Sequence, residues 1–278
     1  MRSLLLIFQS ARFWLAIVVV FATGLTLPAE AARSNFRKKS KVRVRLVGTL
    51  GYLNYASGNA TTNVSSALGG AEVRTEIEGF QPQGQLETDL WFSRRVGLLQ
   101  HFEFMRLDLQ GKDTNFQGNS IDMAANYIQL GVRVAGAKGN PAMGSEIVFG
   151  VGPEVSHVSD VRSHWDQPQY ERVPLTIVGL NMGGRVRLAL LKRTAVQVSG
   201  GWSFPLSLMG GRGALKAGDS RTIRYSAIYD FAITPGVAIG GGFIGSMTRL
   251  SYLPSTQTNT QTIQFLNYGF VGSFLFSF

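Results

Sequence analysis

From Val42 to the C-terminus, apolar and polar residues alternate in segments long enough to cross a lipid bilayer. One face of the segment 223–233 consists of Ile223, Tyr225, Ala227, Tyr229, Phe231 and Ile233, and the opposite face includes Arg224, Ser226 and Asp230. A period of two indicates a β-strand whose two faces meet different surroundings. The segments exceed the roughly five or six residues usual in soluble strands and match the roughly nine to eleven that cross a bilayer. The pattern predicts an all-β, antiparallel up-and-down transmembrane barrel over residues 42–278.

We predict about ten strands, joined by connections of alternating length. The predicted strands are 42–56, 83–94, 97–110, 121–135, 144–157, 173–190, 194–206, 221–234, 236–250 and 262–278. Short connections at 93–96, 136–143, 191–193 and 235 alternate with longer polar ones at 57–82, 111–120, 158–172, 207–220 and 251–261. Short periplasmic turns and long external loops are typical of such barrels. Eight or twelve strands remain alternatives, and mixed parity in the third strand predicts a bulge or register break there.

The N-terminus has the parts of a secretory signal. Arg2 and Arg12 precede the apolar run 13–25, and small residues follow at Ala29 and Ala31. We predict a signal peptide over 1–31, cleaved near Ala31, rather than a membrane anchor, because thirteen apolar residues fall short of the roughly twenty that span a bilayer. The charged segment 32–41 is interpreted as a basic periplasmic lead-in, either a solvated tail or a contact for anionic headgroups.

Composition narrows the chemistry that the chain can perform. The sequence has no cysteine, and its three histidines lack the spacing of a metal site, so we predict no metal and no cofactor. The formal net charge is +10. This charge indicates either solubility and arginine packing inside a barrel, or contact with anionic lipid or an anionic solute. An exported chain without an aromatic-basic motif is not predicted to bind nucleic acid.

Charged residues on the polar faces of the strands are predicted to point into the lumen. They are Arg43, Arg45, Glu87, Asp89, Arg133, Glu146, Arg185, Arg187 and Asp230. Buried charges must be paired, and a barrel of about ten strands has little open bore. We therefore predict a salt-bridge network that fills the barrel, with a narrow anion-favouring pore as the alternative.

The last strand carries an aromatic stripe up to the final residue. The stripe consists of Tyr268, Phe270, Phe274, Phe276 and Phe278. It resembles the C-terminal assembly signal of bacterial outer-membrane β-barrel proteins, and the specific match covers this strand only. The resemblance implies a Gram-negative outer membrane, recognition by the barrel-assembly machinery, and surroundings of outer-membrane lipid and lipopolysaccharide. A monomer with a structural, surface-interaction or minor transport role is the expected form.

A second hypothesis makes the barrel an enzyme. His157, Ser159 and Glu171 could supply the base, nucleophile and orienting acid of a hydrolase. Their spacing resembles that of outer-membrane lipid A deacylases, which implies action on lipid A. Asp160 stands where that family has asparagine, and the motif lies mid-chain rather than near the end. We favour a protein without catalytic activity, and a secreted soluble β-protein is the third hypothesis.

Overall fold

A computed structural model describes residues 42–60, 75–108, 120–136, 144–164, 167–209, 213–216, 219–255 and 260–278. The predicted signal peptide 1–31 and the lead-in 32–41 lie outside these residues, as does most of the first long loop. Within the described ranges, no helix is long and apolar enough to cross a membrane.

The described chain forms a closed antiparallel barrel of ten strands, with one further short strand. The strands are β1 (Val42–Ala60), β2 (Thr75–Trp91), β3 (Val96–Asp108), β4 (Ser120–Gly136), β5 (Glu146–His164), β6 (Gln167–Leu191), β7 (Thr194–Met209), β8 (Gly213–Leu215), β9 (Arg221–Thr234), β10 (Val237–Pro254) and β11 (Thr260–Ser277). Neighbours in sequence are neighbours in the wall, except that β8 pairs only with the far end of β10 and β7 pairs directly with β9.

The barrel closes because β11 pairs with both β10 and β1. The β1–β11 register runs continuously from Arg43 opposite Ser277 to Ala60 opposite Thr260. At its end the Phe278 amide donates to the Val42 carbonyl over 2.9 Å, and the Val42 amide donates to the Phe278 carbonyl over 3.4 Å. Closure pairs the backbone groups that an edge strand would leave open. The predicted fold class and strand number are confirmed.

Three strand predictions need correction. β2 begins at Thr75, so the first loop is shorter than predicted, and β5 and β6 extend through most of the predicted loop 158–172. The predicted break in β3 is wrong, because β3 pairs with β4 in one register from Val96 to Asp108. The parity looked mixed because both faces are apolar near Met105: that side chain packs inside the barrel, whereas Phe104 lies on the outer face. Register shifts lie in other strands, for example between Arg133 and Ala135 and between Val237 and Ala238.

The barrel has two unlike ends. The turn end holds Val42, Phe278 and the short connections 92–95, 192–193 and 235–236. The loop end holds the opposite strand termini. β6 is the longest strand, with 25 residues, which corresponds to about 80 Å at roughly 3.3 Å per residue. Because β6 meets β7 at the turn end, its excess over a hydrocarbon core about 30 Å thick projects at the loop end.

Candidate functional site

The outer face of the wall is apolar. Phe270 is 80% exposed, Phe80 69% and Leu50 63%. Other exposed outward side chains include Phe149, Val198, Trp202, Tyr229, Phe231, Ile233 and Phe274. Soluble monomers rarely expose contiguous apolar patches larger than a few hundred Å². Such a surface around a polar interior is the distribution expected of a wall that lipid covers.

The interior near the turn end contains a buried cluster of ion pairs centred on Asp230. Both terminal nitrogens of Arg45 donate to this carboxylate, over 2.9 and 2.8 Å. Arg187 donates to the same carboxylate over 2.9 Å. Asp230 and Arg187 have no exposed side-chain surface, and Arg45 has 2%. Three strands on different sides of the wall, β1, β6 and β9, are thereby tied together across the lumen.

A second cluster lies beside the first. Glu146 is contacted by Arg43, by Arg133 over 3.1 Å and by Arg185 over 3.3 Å. Arg185 also pairs with Asp89. Glu87 lies 3.6 Å from Nε of Arg45 and so belongs to the first cluster. The structure thus brings together all nine residues that the sequence placed in the lumen, and we call this set the ionic layer.

Sequence reasoning missed a third set of polar contacts, nearer the middle of the barrel. Arg224 donates to Glu103 over 2.9 Å and to Glu154 over 2.9 Å. Asn181 and Ser203 also donate to Glu154. Arg224 shares its face of β9 with Asp230, and Glu154 shares its face of β5 with Glu146. Strict alternation along these two strands therefore predicts that both side chains point into the lumen. Glu103 was obscured by the misread parity of β3.

A cavity of about 110 Å³ lies between these polar contacts. His101, Tyr127 and Arg185 line it together with glycines of adjacent strands. The inward glycines occupy one row of the ladder: Gly131 is opposite Gly150, Gly150 opposite Gly183, and Gly183 opposite Gly201. Glycines leave this part of the interior without side chains. The cavity has room for on the order of ten water molecules, since one needs about 10–15 Å³ of such space.

Towards the loop end, the interior is filled by an apolar cluster. It comprises Leu53, Tyr55, Met105, Ile121, Met123, Val158, Val173, Leu175, Ile177, Leu250, Tyr252, Ile263 and Phe265. Asp160 lies among these side chains and accepts hydrogen bonds from Tyr55 over 3.1 Å, Ser57 over 2.8 Å and Tyr252 over 2.6 Å. The described interior is therefore packed with ion pairs at one end and with apolar side chains at the other.

The interior charges nearly balance. The described inward arginines are Arg43, Arg45, Arg133, Arg185, Arg187 and Arg224. The described inward carboxylates are Glu87, Asp89, Glu103, Glu146, Glu154, Asp160 and Asp230. A lumen of nearly zero net charge produces no field that would concentrate anions. The positive charge of the chain thus lies mainly outside the lumen.

The three hydrolase candidates lie near the loop end. His157 faces outward on β5, and its Nδ1 lies 3.3 Å from the Thr176 hydroxyl of β6. Ser159 is completely buried. The backbone of Glu171 pairs with that of Arg162, three positions beyond Ser159 on β5, and its side chain lies outside the described residues. The described contacts do not assemble these residues into a catalytic triad.

Comparison with known proteins gives likeness of fold only. No protein-family model matches the sequence, and no curated protein does. The outer-membrane protease OmpT from Escherichia coli has a TM-score of 0.45 and 7% identity, over 85% of this chain and 96% of that one. OprG from Pseudomonas aeruginosa has a TM-score of 0.37 and 11% identity, over 88% and 99%. Likeness at these values gives no evidence about activity.

Proposed function

We propose that this chain is an integral, monomeric outer-membrane β-barrel of a Gram-negative bacterium that does not conduct solutes and holds its loop end at the cell surface. The observation that carries the proposal is the distribution of side chains across a closed wall. The outer face is apolar, while the interior is filled by the ionic layer and the apolar cluster. A wall of this kind is stable in lipid, where every backbone polar group must be paired within the protein.

The proposed setting implies its surroundings and its route of assembly. Outer-membrane lipid and lipopolysaccharide would contact the apolar face, and the barrel-assembly machinery would recognise the aromatic stripe of β11. With the interior packed, a structural or surface-interaction role is supported over transport. The projecting β5–β6 hairpin is the part of the described chain best placed for a surface contact.

Extraction of the mature protein from membranes tests the location. We expect it in the outer-membrane fraction, soluble only with detergent. The folded barrel should migrate faster than the boiled chain on a gel with SDS, because its closed hydrogen-bonded wall resists the detergent until it is heated. Recovery in the soluble periplasmic fraction, with no difference between heated and unheated samples, would contradict the proposal and favour a secreted soluble protein.

Planar bilayer recording tests the packed interior. Purified, refolded wild-type protein is expected to give no stable conductance steps, because the cross-barrel ion pairs and the apolar cluster fill the described lumen. The refolded fraction is verified on unheated gels before each recording. Reproducible steps with a preference for anions would instead establish the narrow pore.

Lipid A analysis tests the enzymatic alternative. A Ser159→Ala variant should assemble normally and leave the acylation of lipid A unchanged, as should a deletion of the gene. Loss of a catalytic nucleophile would lower a reaction rate by several orders of magnitude. Mass spectrometry of lipid A from wild-type, Ser159→Ala and deletion strains makes the comparison. An acyl-chain difference that is shared by variant and deletion strains would establish the hydrolase.

A further inference from the structure

The exposed turns at the turn end carry concentrated positive charge. Arg94 and Arg95 lie in the β2–β3 turn, and Lys192 and Arg193 lie in the β6–β7 turn, all with exposed side chains. We call these four residues the basic rim. Among the described residues, none of the four forms an ion pair. The side-chain carboxylates described at this end belong to the ionic layer and point into the barrel.

Apolar side chains lie directly beside the basic rim. Phe92, which is 54% exposed, precedes Arg94 by two residues. Leu190 and Leu191, 55% and 72% exposed, come immediately before Lys192. If the apolar face lies in hydrocarbon, the basic residues that end it must lie at the depth of the lipid headgroups.

The positions of the two turns indicate what kind of anion they can bind. Strands β4 and β5 separate the two hairpins on one side of the wall, and β9, β10, β11 and β1 separate them on the other. The lipids that surround the barrel contact both turns at once.

Among the residues that the structure describes, the loop end has no comparable excess of one sign. There Arg106 lies 3.7 Å from Asp122, and Lys216 and Arg221 flank Asp219. Unbalanced positive charge among the described exposed residues is therefore greatest at the turn end.

We propose that the basic rim binds the headgroups of anionic phospholipids in the leaflet at the turn end. The barrel then carries a shell enriched in lipids such as phosphatidylglycerol. The inference rests on the proposed membrane location and adds the lipid class that this location would select. Each basic residue near a negatively charged leaflet raises the partitioning of the protein surface to that leaflet by about fivefold.

Native mass spectrometry of the full mature chain tests the proposal. The protein is refolded into vesicles of equal parts phosphatidylglycerol and phosphatidylcholine, extracted gently, and its retained lipids are identified. We expect about fivefold or greater enrichment of phosphatidylglycerol at low salt, and a fall towards unity at 0.5 M NaCl, because salt screens exposed charges. In Arg94→Gln/Arg95→Gln/Lys192→Gln/Arg193→Gln protein the enrichment should fall to less than about half of the wild-type value at low salt.

The control variant Lys216→Gln/Arg221→Gln/Arg249→Gln removes exposed basic residues from the loop-end half and should retain the enrichment. Equal retention of both lipids by the wild type, or undiminished enrichment in the rim variant, overturns the proposal. Displacement of the lipid by millimolar inorganic phosphate at constant ionic strength would assign the rim to a free anion and also overturns it. The heat-dependent gel shift is measured on every sample. Its loss would count against the barrel itself, which keeps the two failures distinct.

Discussion

Replacing Asp230 with alanine is expected to destabilise the barrel by about 3–5 kcal/mol, the usual cost of leaving a buried ion-pair partner uncompensated. The carboxylate accepts hydrogen bonds from Arg45 and Arg187, and all three side chains are buried. Without it, two guanidinium groups share the interior with too little negative charge beside them. The free energy of unfolding, measured by urea titration of the refolded protein in vesicles, reports the loss.

Two further variants separate charge from packing. Asp230→Asn keeps the shape of the side chain and removes the charge, so most of the loss should remain. Asp122→Ala removes a carboxylate that lies 3.7 Å from Arg106, whose side chain is 55% exposed, and should cost less than about 1 kcal/mol. If Asp230→Ala and Asp122→Ala were equally mild, the ionic layer could not be what holds the lumen together.

Changing Phe276 and Phe278 together to aspartate is expected to lower the amount of protein in the outer membrane by more than about tenfold, while export to the periplasm continues. In β11, Phe276 pairs in register with Val44 of β1 and with Val237 of β10, at the place where the wall closes. Two charges there would face lipid near the interface, and the resemblance of the stripe to an assembly signal predicts a loss of recognition as well. Immunoblots of separated periplasmic and outer-membrane fractions measure the distribution.

A matched control lies at the other end of the same strand. Thr262 and Gln264 share the outward face of β11 and are already polar, so Thr262→Asp/Gln264→Asp protein should assemble at nearly normal levels. Wild-type amounts of the Phe276→Asp/Phe278→Asp protein in the outer membrane would contradict the role assigned to the stripe.

The wall was predictable from the sequence because one physical requirement acts along its whole length. Every strand must place apolar residues outside, and over the half nearer the turns the inward residues are mainly polar. The period of two therefore survives there and sets the inward face of residues such as Arg45 and Asp230. β3 is the instructive exception. Near the loop end the interior is also apolar, so Met105 inside and Phe104 outside look alike in a sequence, and Glu103 was overlooked for the same reason.

The pairing of charges could not be predicted in the same way. Parity places Arg45 and Asp230 in one lumen, but 185 positions separate them in the chain. Which arginine meets which carboxylate depends on the stagger of the strands and on register shifts such as that between Arg133 and Ala135, which alternation does not encode. The filling of the loop end was hidden as well, because Leu53 and Tyr55 occupy inward positions that elsewhere hold polar residues.

The continuous β1–β11 ladder also means that, topologically, the wall has no natural starting point. Val42 and Phe278 exchange hydrogen bonds at the same end of the barrel, so a short peptide could join them without disturbing a strand. New ends could then be opened at the tight turn 192–193, which lies at the same end. A circularly permuted chain of this kind would keep every strand pair while moving the aromatic stripe of β11 into mid-sequence. The stability that β1–β11 pairing contributes could then be measured separately from the assembly signal that the aromatic stripe carries at the C-terminus.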